Sequence, residues 1–306
     1  MGKTTRTTLL SLIFLPILPT SIAAQEVSFA NFDGFLSIGT ESNRTASITL
    51  ADVDRDGDLD ALVANGRHWA QQNWLFLNDG RAGFKSALPI GQQLDASYAI
   101  AAADLNDDGF IDIAVANDKV PNLIHWGSAE GWRSKGQPFG DPGAASRSLE
   151  IADMDNDGDL DLVIANRRAA NEIVLNDGKG GFGESRRFGR AQDETIQVRV
   201  ADVNADGHAD LVTAERSSRN TVLLGDGKGG FSAPIEFGGA DEQTRSVDVG
   251  DFNGDGLADI VAGNLGAANV IYFGHPERPF SDSLEGSVKN LSHFSFGGGF
   301  GHGSGR

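Results

Sequence analysis

Five short segments of the chain crowd oxygen-bearing side chains at one fixed spacing. The first is Asp52-Val-Asp54-Arg-Asp56-Gly57-Asp58-Leu-Asp60, and its counterparts start at Asp104, Asp153, Asp202 and Asp251. Positions 1, 3, 5 and 9 hold Asp52, Asp54, Asp56 and Asp60 in the first segment and Asp104, Asn106, Asp108 and Asp112 in the second. The third holds Asp153, Asp155, Asp157 and Asp161, the fourth Asp202, Asn204, Asp206 and Asp210, and the fifth Asp251, Asn253, Asp255 and Asp259. Glycine stands at position 6 in all of them. Alternating carboxylates before a sharp glycine turn let a short loop wrap a hard cation in oxygen, and calcium accepts six to eight such ligands in flexible geometry. The backbone carbonyl of position 7 can join them. The side chains there that carry ligand atoms, Asp58, Asp159 and His208, are counted with the candidates. Softer metals would want Cys or His, yet the chain has no Cys and no His recurs in the segments. About five calcium ions are therefore expected, one per loop.

The elements around the loops are strands. Before each loop runs an alternating stretch such as Gln197-Val-Arg-Val-Ala201, and after it a small apolar one such as Leu162-Val-Ile-Ala165. A third run follows (Ile173-Val-Leu175), then an Asp-Gly turn leading to Phe182, with counterparts at Phe84 and Phe231. Short strands closed by Asp-Gly turns fit a four-stranded antiparallel meander. The first aspartates are separated by 52, 49, 49 and 49 residues, which means repetition of one unit. The expected fold is all-β: a β-propeller of about 50-residue, four-stranded blades with five repeats visible. An EF-hand needs a bidentate Glu at position 12 and flanking helices. Position 12 here is Val63, Val115, Ile164, Thr213 and Ala262, all within β-type runs. The segment at 31–39 resembles an outer strand without a blade before it, while the fifth unit lacks a good outer strand after Phe280. Either this segment or residues 288–296 is expected to complete the fifth blade and remove the open edges.

With the period, the D-x-[DN]-x-D-G-x-x-D loop between strands and the closing Asp-Gly turn with Phe, the chain resembles the FG-GAP/VCBS repeat family of integrin alpha-subunit propellers and many secreted bacterial proteins. The likeness runs over about residues 29–280. It implies calcium in the loop between the first and second strands of each blade, on the residues matching the motif. Family propellers often have more blades than the five repeats here.

A second pattern lies on the opposite face. Loops after the second strands are bounded by polar pairs: Asn65 and Asn73, Asn117 and Asn122, Asn166 and Asn171, Glu215 and Asn220, Asn264 and Asn269. The Asn side chains are expected to cap these turns. Between them stand Arg67, His68, Trp69, Lys119, Arg167, Arg168 and Arg216, in a protein with 43 acidic and 25 basic residues. One reading makes these solvated charges that balance acidic neighbours. The other makes a locally basic rim for an acidic polysaccharide, with Trp69 and Tyr98 stacking on sugars and Arg147 and Arg245 joining in. A surface protein is the alternative partner, in a non-catalytic binding or adhesion module. Polysaccharide lyase or hydrolase activity is the enzyme alternative. No nucleophile elbow, zinc-protease motif or phosphate loop occurs, so no catalytic residue is assigned.

A net charge of −18 opposes binding to nucleic acid, and five bound calcium ions would offset about half of it. Lys3 and Arg6 precede an apolar run at 9–19 that is too short to span a bilayer, and Ser21-Ile-Ala-Ala24 follows. The expected organisation is a signal peptide at 1–24, a propeller at 25–296 and a Gly-rich tail at 297–306. The mature protein is expected to be a secreted or periplasmic monomer with no transmembrane segment.

Overall fold

Each acidic loop turns one strand back on the next. The computed structural model describes residues 38–275 apart from 40, 85, 133 and 134. The expected leader, the outer-strand candidates at 31–37 and 288–296 and the Gly-rich tail lie outside the described residues.

Among these residues there is no helix, and the strands form antiparallel meanders. The first sheet is β1 (Thr45–Ala51), β2 (Asp60–Asn65), β3 (Gln71–Leu77) and β4 (Ser86–Asp95). The second is β5 (Ser97–Ala103), β6 (Asp112–Asn117), β7 (Asn122–His125) and β8 (Gln137–Phe139). The third is β9 (Ser146–Ala152), β10 (Asp161–Asn166), β11 (Asn171–Leu175) and β12 (Glu184–Phe188). The fourth is β13 (Thr195–Ala201), β14 (Asp210–Glu215), β15 (Asn220–Leu223) and β16 (Ile235–Phe237). The fifth has three described strands, β17 (Gln243–Gly250), β18 (Asp259–Leu265) and β19 (Val270–Tyr272).

The first strand of each sheet packs against the first strand of the next, from β1 to β17. Sheets stacked in this way cover both faces of their second strands. Every residue of β2, β6, β10 and β14 is buried, which is why these strands read as continuous small apolar runs. Alternate residues enter different cores. Leu162 and Ile164 pack with Ala114 and Ile124 of the second sheet, while Val163 and Ala165 pack with Val198 and Leu211 of the fourth. Each fully buried Leu or Ile contributes about 1.5–3 kcal/mol.

The polar pairs stitch the sheets together. The N–H of Asn166 donates to Asn171 Oδ1 at 2.8 Å, and Ser146 Oγ donates to Asn166 Oδ1 at 2.8 Å. Asn171 Nδ2 then donates to Thr195 Oγ1 of the next sheet at 3.0 Å, as Asn73 does to Ser97 at 2.8 Å and Asn220 to Thr244 at 3.0 Å. Sheet four departs from the pattern by placing Glu215 where the others have Asn. Glu215 is 2 % exposed, and its Oε2 has no hydrogen-bond partner. Burial pushes its carboxyl up to about 7. The native state therefore binds this proton where the unfolded chain has released it, and stability falls as pH rises from the ordinary Glu range through 7. Glu215→Gln is expected to stabilise the protein at pH 8 by up to about 3 kcal/mol and to give little gain at pH 5. Melting curves of the two proteins that run parallel across this range would contradict the assignment.

Gly39, with φ +80, sits against the Phe76 ring of β3. Gly238, with φ +76 and just after β16, takes the corresponding place against Tyr272 of β19 in the next sheet. Gly39 thus meets Phe76 of the first sheet as Gly238 meets Tyr272 of the fifth.

Candidate metal loops and a basic cavity

The acidic loops are held by their own backbone. The N–H at position 6 donates to the position 1 carboxylate, from Gly57 to Asp52 at 3.1 Å and from Gly158 to Asp153 at 3.0 Å. The N–H at position 7 donates to position 5, from Asp58 to Asp56 and from Asp159 to Asp157, each at 3.0 Å. Position 4 takes a left-handed conformation in all five loops, at Arg55, Asp107, Asn156, Ala205 and Gly254. Position 9 is different: Asp60, Asp112, Asp161, Asp210 and Asp259 are at most 1 % exposed. Asp161 Oδ2 accepts from Met154 N and Oδ1 from Asn176 N, both at 2.9 Å, so it clamps the loop to the turn after the third strand. The same pair of bonds recurs at the other four position 9 aspartates. Burial pushes Asp112 and Asp161 up to about 6. Burial, then neighbouring carboxylates, also raises Asp54. In contrast, the Asn204 amide first, and then the His208 backbone N–H, hold Asp206 below the ordinary range.

At position 7, Asp58 and Asp159 lie against Gly80 and Gly178 of the Asp-Gly turns, where any Cβ would collide with the carboxylate. The His208 ring lies against Gly227 in the same way, and it also meets Asn156 Nδ2 of the preceding loop at 2.8 Å.

At the other end of the strands, a cavity of about 570 Å³ is lined by residues of all five sheets. Its shape owes much to a register shift repeated in every sheet. The first strand bulges at Ala46, Tyr98, Arg147, Ile196 and Arg245, between Thr45/Ser47, Ser97/Ala99, Ser146/Ser148, Thr195/Gln197 and Thr244/Ser246. A bulge re-aims its extra side chain, and all five of these residues line the cavity. Arg67, Arg167 and Arg216 reach it from the loops after the second strands, and Arg199 from β13. Desolvation, then repulsion from Arg216, Arg67 and Arg167, holds Arg245 below its ordinary value. The guanidiniums are thus close enough to repel one another.

Two carboxylates steady the group. Glu194 pairs with Arg168 at 2.5 Å, with Arg167 at 3.4 Å and with Arg216 at 3.8 Å. Burial works to raise this carboxyl, but the Arg168 and Arg167 hydrogen bonds outweigh it and hold it below the ordinary range. Asp118 takes Arg147 at 3.0 Å and lies 3.6 Å from the His68 ring.

The FG-GAP-like repeat model matches residues 52–115, 104–164, 153–213 and 202–262, which together span more than half of the chain. The chain belongs to the FG-GAP repeat family. No curated protein matches it. Among solved structures, the N-terminal BBS1 fragment in complex with ARL6, soaked with mercury, is similar at a TM-score of 0.51 and 13 % identity. That match covers 76 % of this chain and 66 % of the fragment, and it shows a shared fold. The Vibrio cholerae biofilm matrix protein Bap1 matches at a TM-score of 0.46 and 18 % identity, over 72 % of this chain and 35 % of that protein.

FG-GAP repeats imply a cation in the acidic loops, and the residues fit one. Oxygens of Asp52, Asp54 and Asp56 lie within 4.8 Å of one another, as do those of Asp153, Asp155 and Asp161. Asp52 Oδ1, Asp153 Oδ1 and Asp155 Oδ1 are buried without a hydrogen-bond partner. Buried carboxylate oxygens without donors are costly unless a cation meets them. An all-oxygen donor set suits a hard ion.

Of the residues expected on the opposite face, the cavity gathers Arg67, His68, Tyr98, Arg147, Arg167, Arg216 and Arg245. Lys119, Arg168 and Trp69 do not line it. Lys119 and Arg168 have φ values of 62° and 59° at their turns; Arg168 follows Arg167, which lines the cavity, and Lys119 follows Asp118, which pairs with Arg147. Trp69 is 60 % exposed, with Arg44 stacked 5.1 Å from its ring. Tyr98 is covered on one side by Arg147, 3.9 Å from its ring centroid. Sequence reasoning missed Glu194, Asp118 and Arg199. Arg199 lies within β13, while Asp118 directly follows β6 and Glu194 directly precedes β13, each beside another charged residue that gives no local sign of which one pairs.

Proposed function

We propose that this FG-GAP chain is an exported, calcium-binding, five-bladed β-propeller that acts as a binding or adhesion module for an acidic glycan. The observation that carries the reading is the convergence of Arg67, Arg147, Arg167, Arg216 and Arg245 on one cavity in a protein of net charge −18. A guanidinium fork matches carboxylate and sulfate geometry, and several acting together give affinity that one exposed charge does not. Calcium in the acidic loops holds the opposite end of the sheets and does not compete for the ligand. Ring closure by the segment ending at Ile38-Gly39 is supported by the contact of Gly39 with Phe76. Export rests on the charged and apolar start of the chain, and no helix among the described residues is long and apolar enough to cross a membrane.

A glycan array probed with the wild type and with Arg245→Glu tests the ligand. Uronate-containing or sulfated glycans should bind and neutral ones should not, and the substitution should weaken binding at least tenfold. Equal binding of neutral and acidic glycans, or none of either, would contradict the proposal. Capture of a purified surface protein in place of glycan would move the site to protein adhesion. One observation favours a second reading. Tyr98 Oη lies 2.9 Å from His68 Nδ1 beside Arg147, which could supply acid and base for β-elimination of a uronate. Formation of unsaturated uronate ends on incubation with an acidic glycan would establish that activity.

A further inference from the structure

The five acidic loops differ at position 3, and the difference changes what each loop lacks. In loops two, four and five this residue is Asn, and its amide donates to the position 5 carboxylate. Asn106 meets Asp108 at 3.0 Å, Asn204 meets Asp206 at 2.9 Å and Asn253 meets Asp255 at 2.8 Å. An amide donor inside the loop already satisfies one of its carboxylate oxygens by hydrogen bonding. In loops one and three position 3 is Asp54 and Asp155, which when ionised can only accept. All the partnerless, buried carboxylate oxygens found in the acidic loops belong to these two: Asp52 Oδ1, Asp153 Oδ1 and Asp155 Oδ1. The two close oxygen clusters are the same two loops.

Three further features point the same way. Position 7 adds a carboxylate, Asp58 or Asp159, in loops one and three, but Phe110, His208 and Leu257 stand there in the others. Loops four and five consequently carry three carboxylates each, against five in loops one and three. In loop two, Asp104 is already paired with Arg55 of loop one at 3.3 Å. Calcium affinity in oxygen sites follows ligand charge count and rigidity.

We infer that the loops form two classes: the first and third bind calcium tightly, and the second, fourth and fifth bind it weakly. This rests on the calcium reading above.

Calorimetric titration of the calcium-stripped full chain tests it. Two ions should bind at least tenfold more tightly than the remaining three. Asp54→Asn and Asp155→Asn should each abolish one tight site, and Asn106→Asp should strengthen the second-loop site. Asn at position 3 is carried by three loops of this same chain, so the first two substitutions suit the fold. Circular dichroism spectra and melts at saturating calcium check that all three variants are folded. Five indistinguishable sites, or two tight sites that persist in both Asn variants, would overturn the two classes while leaving the calcium reading intact. No calcium uptake at millimolar concentration would overturn both.

Discussion

Removal of calcium is expected to lower the melting temperature by about 10–20 °C. Two tight loops at a hundredfold excess of ion each add about 2.7 kcal/mol, about 5 kcal/mol together. The whole stability of a domain is about 5–15 kcal/mol, so this is a large share of it. At about 2–4 °C per kcal/mol for a domain of this size, the shift follows. With no cysteine in the chain, no disulfide can take over the role. A melt in excess EGTA that matches the melt in calcium would contradict the metal assignment.

A second large effect is expected at Asp161, for a reason separate from the ion. Its two oxygens accept from Met154 N and Asn176 N, and the residue is 1 % exposed. Asp161→Ala would strand both donors in the interior, at about 1–3 kcal/mol each. The combined loss, about 4 kcal/mol, corresponds to a fall of about 8–16 °C. Asp157 is exposed, and its Oδ1 accepts from the neighbouring Asp159 N. Asp157→Ala should therefore cost little once calcium has been chelated. The test is the melting temperature of both variants in EGTA. If Asp161→Ala melts with the wild type there, the buried aspartate acts through the ion alone and the clamp is wrong.

The acidic loops, their period and the strands around them were legible because they depend on local chemistry. Asp at alternating positions before Gly can be read from order alone, and so can the small apolar run that a strand buried on both faces requires. The basic cavity was only half legible. Arg67, Arg167 and Arg216 lie between recognisable polar pairs, but nothing local distinguishes Arg167, which faces the cavity, from Arg168, which does not. That choice is made by a single left-handed residue at the turn. The bulges that aim Tyr98, Arg147 and Arg245 inward are a property of pairing register between two strands. Composition does not carry register. Glu194 was missed for a related reason, since its three arginine partners come from loops after two different sheets.

On the proposed reading, the basic cavity would let an acidic protein hold an anion. Long-range attraction is screened beyond about 8 Å at physiological ionic strength, so under this proposal the arginines would act on a ligand only close to the cavity. The most direct measurement is therefore a calorimetric titration of the calcium-loaded chain with a glucuronate-containing oligosaccharide and with its carboxyl-reduced, neutral counterpart. The account predicts saturable binding of the acidic form at one site per chain, weakening as salt is added, and none of the neutral form. Equal binding of the two forms, or no binding of either at low salt, would contradict it.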